Sequence, residues 1–529
     1  MDMLQTASEQ SSQRQPEVSS REPRVGEFMS EPSSRYHAFA RPAVDELKVK
    51  SVRGGAVAVC AQGAKFVLQT ATTMLLARLL SAEDFGLLGM AVVLTGFLGL
   101  FKDAGLSAAT IQRLEVTQEQ ISTLFWINGA VGGALATFTA VLAPVVAAFY
   151  GEPRLYWITV VLGVAFVFSG LAAQHQALIL REMRFVTLAK IEVLSLTISS
   201  AAGVAMALLG WRYWALVSMT VVGSVVSAAG AWLANPWVPG CPRRKCGVRS
   251  MLHFGWMATC NSVVVFLAWN AHNILLGRFW GADAVGLYGR AYQLATLPVH
   301  QLNGAITNVA FPALSRIQDD PDRLARSFLR GYSLLASLTV PVAISCALFA
   351  EGLVRVVLGA NWAEAAPVLR LLAPTVLVFA FANPLYWLVI STGRVRRALS
   401  MAAATTPLVI AGVVLGLSNG PKGVALGYSL AMALLVVPIT AWSIHGTRIT
   451  WMGLWKAIER PLLSGLWASA IGLIVKIAFG GMLAPILLLL VGLGLVLGVY
   501  TWVLLIAMGE KDLYVDLLKQ LSRGARPDG

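Results

Sequence analysis

Long apolar runs separated by short polar segments occupy the chain from about residue 56 to residue 508. A helix needs about 20 residues to cross the roughly 30 Å hydrocarbon core of a bilayer, and fourteen runs are long enough to do so. The pattern therefore predicts an all-α, polytopic membrane protein with about 14 transmembrane helices. The predicted spans cover residues 56–79, 85–101, 123–149, 155–180, 189–209, 213–234, 254–279, 286–311, 332–358, 368–391, 399–417, 423–444, 461–479 and 482–508.

Composition agrees with this pattern, because 57% of the 529 residues are hydrophobic and only 13% are charged, which excludes a soluble globular protein. The formal net charge of +14 would suit a nucleic-acid-binding protein, but the basic residues are unevenly distributed. Loops after even-numbered spans hold eighteen lysines and arginines, and loops after odd-numbered spans hold three, Arg154, Arg212 and Lys422. This positive-inside pattern predicts that both termini are cytoplasmic. The basic residues are then expected to contact anionic membrane lipids, and no nucleic-acid partner is expected.

Composition also divides the chain into regions. Residues 1–50 are rich in Ser, Gln, Glu, Arg and Pro, which predicts a disordered cytoplasmic tail. Residues 51–235 form a predicted N-terminal lobe of spans one to six, and residues 236–445 form a C-terminal lobe of spans seven to twelve. Spans thirteen and fourteen occupy residues 446–509. Residues 510–529 form a cytoplasmic tail that can fold as a short amphipathic helix.

The five cysteines give no indication of a cofactor. Cys241 and Cys246 lie in a loop predicted to face the reducing cytoplasm, so a structural disulfide is not expected. A metal ion there would need two further ligands, and His253 is the nearest candidate. We expect free thiols, no metal and no cofactor.

One stretch of sequence occurs twice. Residues 75–91 read LLARLLSAEDFGLLGMA and residues 275–291 read LLGRFWGADAVGLYGRA, with eight of seventeen positions identical, including one arginine and two glycines. Each copy begins a six-span half, and because six is even the halves share one orientation, as parallel repeats do. Two such bundles enclose a central cleft, which is the architecture of an alternating-access transporter. The glycines are suited to tight turns and close helix contacts.

Polar residues follow helical spacing in the first helices of each half. Span one carries one stripe at intervals of three or four residues: Gln62, Lys65, Gln69 and Thr72. Spans seven and eight carry Asn270, Asn273, Gln293, Thr296, His300, Asn303 and Thr307. Lys65 lies about 14 Å into its span at about 1.5 Å per residue, where a lysine facing lipid is costly, so we expect it to face protein or water. The amides and hydroxyls can alternatively act as hydrogen-bonding contacts between helices.

A cleft with a positive charge and amides suits an anion that carries hydroxyl groups, such as a sugar attached to phosphate or pyrophosphate. Several aromatic side chains can stack on sugar faces, although most of the sixteen tryptophans suit the interfacial belt equally well. The aromatic candidates are Trp126, Trp157, Trp269, Tyr292, Tyr386 and Trp387.

Several segments resemble the polysaccharide transporter family, the Wzx-type oligosaccharide flippases of the multidrug/oligosaccharidyl-lipid/polysaccharide exporter superfamily. They include LARLLSAEDFGLLGMA, FKDAGLSAATIQR, QHQALILREMRF, ILLGRFWGADAVGLYGRAYQLATLP and FPALSRIQDD, and the resemblance runs from about residue 54 to residue 361. It implies two six-helix lobes around a cavity lined by spans one, two, seven and eight, with two additional C-terminal helices. It also implies alternating access to the cytoplasm and periplasm across the bacterial inner membrane.

The cargo that this resemblance implies is an undecaprenyl-pyrophosphate-linked oligosaccharide repeat unit, flipped for exopolysaccharide, capsule or lipopolysaccharide synthesis. Polysaccharide polymerase and export machinery are the implied protein partners. The chain departs from the family in span seven, where His272 stands at a position that is often acidic. This departure puts carboxylate-based ion coupling in doubt; a histidine can carry a proton near neutral pH or serve helix packing.

From these observations we expect Lys65 to attract the pyrophosphate, with Arg290 either assisting near the outer mouth of the cavity or anchoring the helix at the membrane edge. The remaining predicted cavity residues are Gln62, Gln69, Asn270, Asn273, Gln293, His300 and Asn303. No catalytic residue is expected, and the protein is not expected to be an enzyme.

Two other functions have weaker support. A drug/cation antiporter of the same superfamily predicts a buried acidic site, but carboxylates inside the spans are scarce and Glu192 lies near a span end. A membrane-embedded polysaccharide polymerase or glycosyltransferase needs space for catalysis, and the predicted outer loops are too short to supply it. A purely structural scaffold would not explain the charged stripe of span one.

Overall fold

The computed structural model describes residues 44–102, 110, 116–242 and 249–509. The predicted tails are therefore largely outside the described residues, as is the side chain of Thr307. The described part of the chain is helical and contains no β-strand, which confirms the all-α prediction. Its helices are α1 Val44–Leu79, α2 Ala82–Gly99, α3 Gln118–Tyr150, α4 Arg154–Arg181, α5 Phe185–Leu208, α6 Trp214–Ala234, α7 Arg249–Arg316, α8 Pro321–Leu348, α9 Ala350–Val357, α10 Ala365–Ser391, α11 Val395–Gly416, α12 Gly420–Ile444, α13 Trp451–Phe479 and α14 Pro485–Trp502.

Ten helical segments of the described residues are long and apolar enough to cross a membrane, so the predicted count of 14 is not confirmed. Helix α1 and the 68-residue α7 are absent from the ten, and they carry spans one, seven and eight. Helices α11 and α12 are counted as one segment, Arg396–Ile444.

Each copy of the internal repeat contains a tight turn at its seventh position. In the first copy, Ser81 caps α2: its hydroxyl accepts a hydrogen bond from the Asp84 amide, and the Asp84 carboxylate accepts one from the Ser81 amide at 3.0 Å. In the second copy, Gly281 occupies the equivalent position and bends α7 with φ 80° and ψ −174°. Only glycine adopts this backbone conformation without strain. We call the end of the bundle that contains Ser81 and Gly281 the outer end, because the charge pattern predicts it to be periplasmic.

The two repeat copies pack against each other at the outer end. Helix α2 packs along α7, and its Gly86 and Gly89 meet Ala282 and Val285 just after the bend at Gly281. A Cβ atom at Gly86 would overlap the Ala282 carbonyl oxygen, and a Cβ atom at Gly286 would overlap the Ala82 carbonyl oxygen. The contact is reciprocal, as expected for related helices that cross at a pseudo-twofold axis. Small residues are therefore required at the same place in both copies, which explains why the sequence occurs twice.

Most other helix contacts lie within one half of the chain. In the first half α1 packs on α5, α3 on α4, and α6 on both α4 and α5. In the second half α10 packs on α7, α8 and α12, and α11 packs on α12. Helices α13 and α14 pack on each other and on α8. The largest buried apolar cluster joins both halves near the outer end and includes Leu76, Phe85, Tyr288 and Trp362.

Two arginines of the loops predicted to be periplasmic form ion pairs across the first half. Arg154 contacts Glu83 at 2.5 Å and Glu152 at 2.7 Å, and Arg212 contacts Glu83 at 3.2 Å. The Arg154 guanidinium, through its side-chain hydrogen bond, holds the pKa of the Glu152 carboxyl below its usual value. These pairs connect three successive outer loops of the first half.

Candidate functional site

A polar cavity of about 320 Å³ lies between α2 and α7, inside the crossing of the two repeat copies. Five of the predicted site residues line it: Asn270, Asn273, Arg290, Gln293 and His300. They converge because α7 carries polar residues on both sides of its bend at Gly281, so the two parts of the helix face the same space. Apolar and aromatic residues complete the wall: Phe85, Trp269, His272, Val285 and Tyr292, with glycines at Gly89, Gly286 and Gly289.

Arg290 is the cation of this cavity. Its guanidinium carbon lies 4.4 Å from the centroid of the Phe85 ring, a cation–π contact. Its Nε atom is buried without a hydrogen-bond partner, and no ion pair joins Arg290 to a carboxylate of the described residues. A desolvated guanidinium without a counter-charge is costly inside a membrane protein. Such a group is suited to receive an anionic ligand.

Two amide side chains present unsatisfied acceptors beside Arg290. Asn273 Oδ1 and Gln293 Oε1 are buried and have no hydrogen-bond partner among the described residues. Asn270 donates a hydrogen bond of 2.9 Å to the Phe266 carbonyl oxygen, which fixes its orientation. Buried amide oxygens of this kind accept hydrogen bonds from hydroxyl groups, so the wall suits a hydroxyl-bearing ligand.

Trp269 lies between the polar cavity and a second, mostly apolar cavity of about 380 Å³ in the second half. Its ring centroid is 6.2 Å from that of His300 and 6.2 Å from that of Phe379. Trp269, Tyr292 and Tyr386 are three of the six aromatic candidates, and all three line one of these cavities. The aromatic side chains thus place stacking surfaces next to the polar wall.

His272 contributes to this wall from a buried position. Only 2% of it is exposed, and its ring centroid lies 4.8 Å from that of Tyr288 and 5.1 Å from that of Tyr292. Tyr428 packs edge-on at 5.6 Å. The histidine of span seven is therefore surrounded by aromatic rings.

The structure places Lys65 away from the cavity lining. Its Nζ atom forms an ion pair of 2.6 Å with Glu192 of α5, a helix that packs along α1. From its position near a span end, Glu192 gave no indication in the sequence that it is the partner of Lys65. The pair explains how α1 accommodates a charge within a span, because the charge is neutralised by the neighbouring helix.

The other three predicted site residues also lie outside the cavity lining. Gln62 donates a hydrogen bond of 2.7 Å to Gln301 and so connects α1 to α7. Gln69 is exposed on α1, and Asn303 is buried on α7 with 8% of its surface exposed. The structure thus brings together five predicted residues of spans seven and eight, but not Asn303 of span eight or the residues of span one.

Comparison with known proteins adds a family and a fold. The family described as "Polysaccharide biosynthesis protein" matches residues 75–367. The lipopolysaccharide biosynthesis protein WzxC of Escherichia coli (strain K12) is 27% identical over 416 residues, 76% of this chain and 83% of that protein. The succinoglycan biosynthesis transport protein ExoT of Rhizobium meliloti (strain 1021) is 24% identical over 478 residues, 87% of this chain and 93% of that protein.

Among solved structures, the lipid II flippase MurJ in an inward closed conformation superposes with a TM-score of 0.70 at 14% identity. The superposition covers 88% of this chain and all of that one. An inward-facing multidrug resistance MATE family transporter gives a TM-score of 0.58 at 13% identity, with 75% of this chain and 96% of that one covered. At these identities the likeness establishes the fold.

Proposed function

The chain belongs to the polysaccharide biosynthesis protein family, and on that premise we propose that it is a flippase for undecaprenyl-pyrophosphate-linked oligosaccharide repeat units in the bacterial inner membrane. The observation that supports this most directly is the polar cavity, with its unpaired Arg290 at the junction of the two halves. WzxC and ExoT, whose names refer to lipopolysaccharide and succinoglycan biosynthesis, support a polysaccharide cargo. The product would enter exopolysaccharide, capsule or lipopolysaccharide synthesis.

In this proposal Arg290 holds the pyrophosphate. A guanidinium forms two parallel hydrogen bonds with phosphate oxygens, and these charge-assisted bonds are strong in a site of low dielectric. Asn273 and Gln293 accept hydrogen bonds from sugar hydroxyls, and Trp269 and Tyr292 offer stacking faces to the sugar rings. The cavity of about 320 Å³ accommodates the pyrophosphate and its first sugar rather than a complete repeat unit.

Alternating access is proposed from the arrangement of the two halves. They are closed at the outer end by the crossing of α2 and α7. Towards the other end they touch through the Gln62–Gln301 hydrogen bond and through Phe97 and Phe266, whose ring centroids are 6.1 Å apart. Separation of one set of contacts while the other persists would open the cavity to one side only. The termini are proposed to be cytoplasmic, which makes the outer end periplasmic.

Lys65 is proposed as a second contact for the pyrophosphate at one stage of transport. Because Lys65 is paired with Glu192, it binds an anion only when it leaves that carboxylate. The pair therefore favours transient contact during movement of the halves over tight binding. Polysaccharide polymerase and export machinery are proposed as the proteins that receive the flipped unit.

A pair of single variants and their combination tests the role of Lys65. Lys65→Met and Glu192→Gln are each expected to destabilise the protein by about 1 kcal/mol, since each leaves a partly buried charge without its partner. The double variant is expected to recover thermal stability, measured by unfolding in detergent, but not polysaccharide export. The matched control is Lys190→Met, an exposed lysine of α5, the helix that carries Glu192. Restored export in the double variant would remove Lys65 from the cargo pathway.

A drug/cation antiporter is less well supported by the same cavity. Its lining, within the described residues, holds an arginine and two histidines but no aspartate or glutamate, and a cation site needs a carboxylate. A polymerase is likewise less well supported, because the lining that the structure describes presents no carboxylate that could pair with a base.

The decisive experiment follows lipid-linked oligosaccharide in cells that lack the protein, with a periplasmic ligase or lectin as reporter. We expect undecaprenyl-linked repeat units to accumulate and to stay inaccessible from the periplasm. Units that reach the periplasm normally but remain unpolymerised would contradict the flippase proposal and support a polymerase or assembly role.

A further inference from the structure

A segment of the second half closes over the end of α1. It consists of α9 and the 3-10 turn Ala360–Trp362. The Trp362 indole N–H donates a hydrogen bond of 2.7 Å to the Ala77 carbonyl oxygen, and the Arg78 guanidinium donates one of 3.1 Å to the Val356 carbonyl oxygen. Carbonyl groups in the last turn of a helix lack partners within the helix, so Trp362 satisfies one of them from the opposite half. We call the Trp362–Ala77 contact the outer latch.

Phe85 connects the outer latch to the cavity. Trp362 packs edge-on against Phe85, with ring centroids 5.5 Å apart and an interplanar angle of 67°. The same Phe85 ring carries the Arg290 guanidinium at 4.4 Å. Phe85 is 4% exposed and Trp362 is 1% exposed, so the three side chains form one continuous stack from the predicted anion site to the outer latch.

This stack is not a product of the internal repeat. In the second copy Val285 stands at the position equivalent to Phe85, and in the first copy Met90 stands at the position equivalent to Arg290. The repeat explains the crossing of the helices, but it does not explain an aromatic ring between a cation and a tryptophan. The stack therefore needs a role of its own.

The strength of the stack depends on the charge of Arg290. A cation over an aromatic face is held by the quadrupole of the ring. An anion that binds the guanidinium competes for the same charge and draws it away from the ring. Phe85 is then no longer held by Arg290 on the cavity side, so its packing against Trp362 weakens. This packing is one of the contacts between the two halves at the outer end.

We propose that Phe85 is a positioning residue that transmits occupancy of Arg290 by a phosphate-bearing ligand to the outer latch. Binding of the anion weakens the Arg290–Phe85 contact, Trp362 leaves Ala77, and the outer end opens. The inference rests on the proposed function, because it takes Arg290 as the site of the pyrophosphate. It assigns to the cargo itself the signal that opens the outer end.

The test measures distances across the outer end in the full-length protein in lipid nanodiscs. With the native cysteines replaced, spin labels are placed at Leu209→Cys in the first half and Ser418→Cys in the second half, both exposed positions. Inorganic pyrophosphate is the probe, and its binding is measured separately by calorimetry. In the otherwise unaltered protein, we expect pyrophosphate to raise the population of long distances by about fivefold, a change that one cation–π contact can supply.

Three variants separate transmission from structure. Phe85→Leu is expected to bind pyrophosphate but to show the same distances with and without it. Trp362→Phe keeps a ring but lacks the indole N–H, so it is expected to open partly without ligand and to respond further to pyrophosphate. Phe328→Leu, a buried phenylalanine of α8 in another apolar cluster, is the control and is expected to respond as the unaltered protein does.

Three other outcomes would each contradict a stated part of the two proposals. If Phe85→Leu responds to pyrophosphate like the unaltered protein, transmission through Phe85 is wrong while the anion site stands. If the unaltered protein binds no pyrophosphate, or binds it without a change in distance, the transmission is also overturned. If lipid-linked units reach the periplasm normally in cells that lack the protein, the flippase proposal fails, yet a distance change that depends on Phe85 would still establish the coupling.

Discussion

Replacement of Arg290 by glutamine is expected to lower polysaccharide export by about 10-fold to 100-fold at unchanged protein level. A charge-assisted hydrogen bond contributes about 1.5–3 kcal/mol, and each 1.4 kcal/mol corresponds to about a factor of ten in binding. Glutamine retains polar hydrogen-bonding capacity but removes the only cation that lines the cavity in the described part of the chain. The measurement is export of polymer in complemented cells, with protein quantified by immunoblot of the membrane fraction.

Two control variants show whether the loss of export comes from the charge in the cavity or from the removal of any arginine. Arg278→Gln removes an exposed arginine of the same helix, whose guanidinium carbon lies 5.9 Å from the Phe149 ring centroid outside the cavity, and it should export normally. Arg290→Lys keeps the charge without the bidentate fork, so intermediate export is expected. Normal export by Arg290→Gln would show that the cavity does not hold the anion through this residue.

Alanine at Gly86 or Gly286 is expected to destabilise the protein by about 1–3 kcal/mol, the usual cost of overpacking a close contact. In each case the new methyl group meets a backbone carbonyl of the other repeat copy, at Ala282 or Ala82, and a backbone atom cannot rotate away as a side chain does. The helices α2 and α7 must therefore move apart. The measurement is the thermal unfolding temperature of the purified protein, together with cross-linking of the outer end.

The repeat supplies its own matched control. Gly289 lies one helical turn from Gly286, and a Cβ atom there meets nothing within 4 Å. Gly289→Ala should therefore unfold at the same temperature as the unaltered protein. The double variant Gly86→Ala/Gly286→Ala should cost less than the sum of the single variants, because the same separation of α2 and α7 relieves both overlaps. Independent, additive losses would mean that the two overlaps are not relieved by one shared movement.

Helical periodicity groups polar residues within one span because it fixes relative directions along one helix. Asn270 and Asn273 precede the bend at Gly281 and Gln293 and His300 follow it, and only the structure shows that both groups line one cavity. The stripe of α1 has the same periodicity, yet Lys65 turns to Glu192. Which way a stripe faces depends on the neighbouring helices, and no pattern within span one identifies α5 as the neighbour.

Other features left too little signal in the sequence. Phe85 is an apolar residue in an apolar repeat, and only the structure shows that Arg290 and Trp362 meet on its ring. The glycines Gly86 and Gly286 were predicted to allow close helix contact, and the structure adds that each copy packs against the other. The predicted count of 14 membrane-crossing helices is not confirmed, since ten segments of the described residues are long and apolar enough and α1 and α7 are not among them.

The crossing of the repeat copies also has a consequence for biosynthesis. Gly86 and Ala282 lie about two hundred residues apart in sequence, so α2 enters the membrane long before its partner is translated. During that interval the Gly86 surface of α2 has no packing partner, and the first half must persist as an incomplete bundle. Closure of the outer end is then among the last events of assembly. A second half that folds incorrectly therefore also leaves the first half without its packing partner.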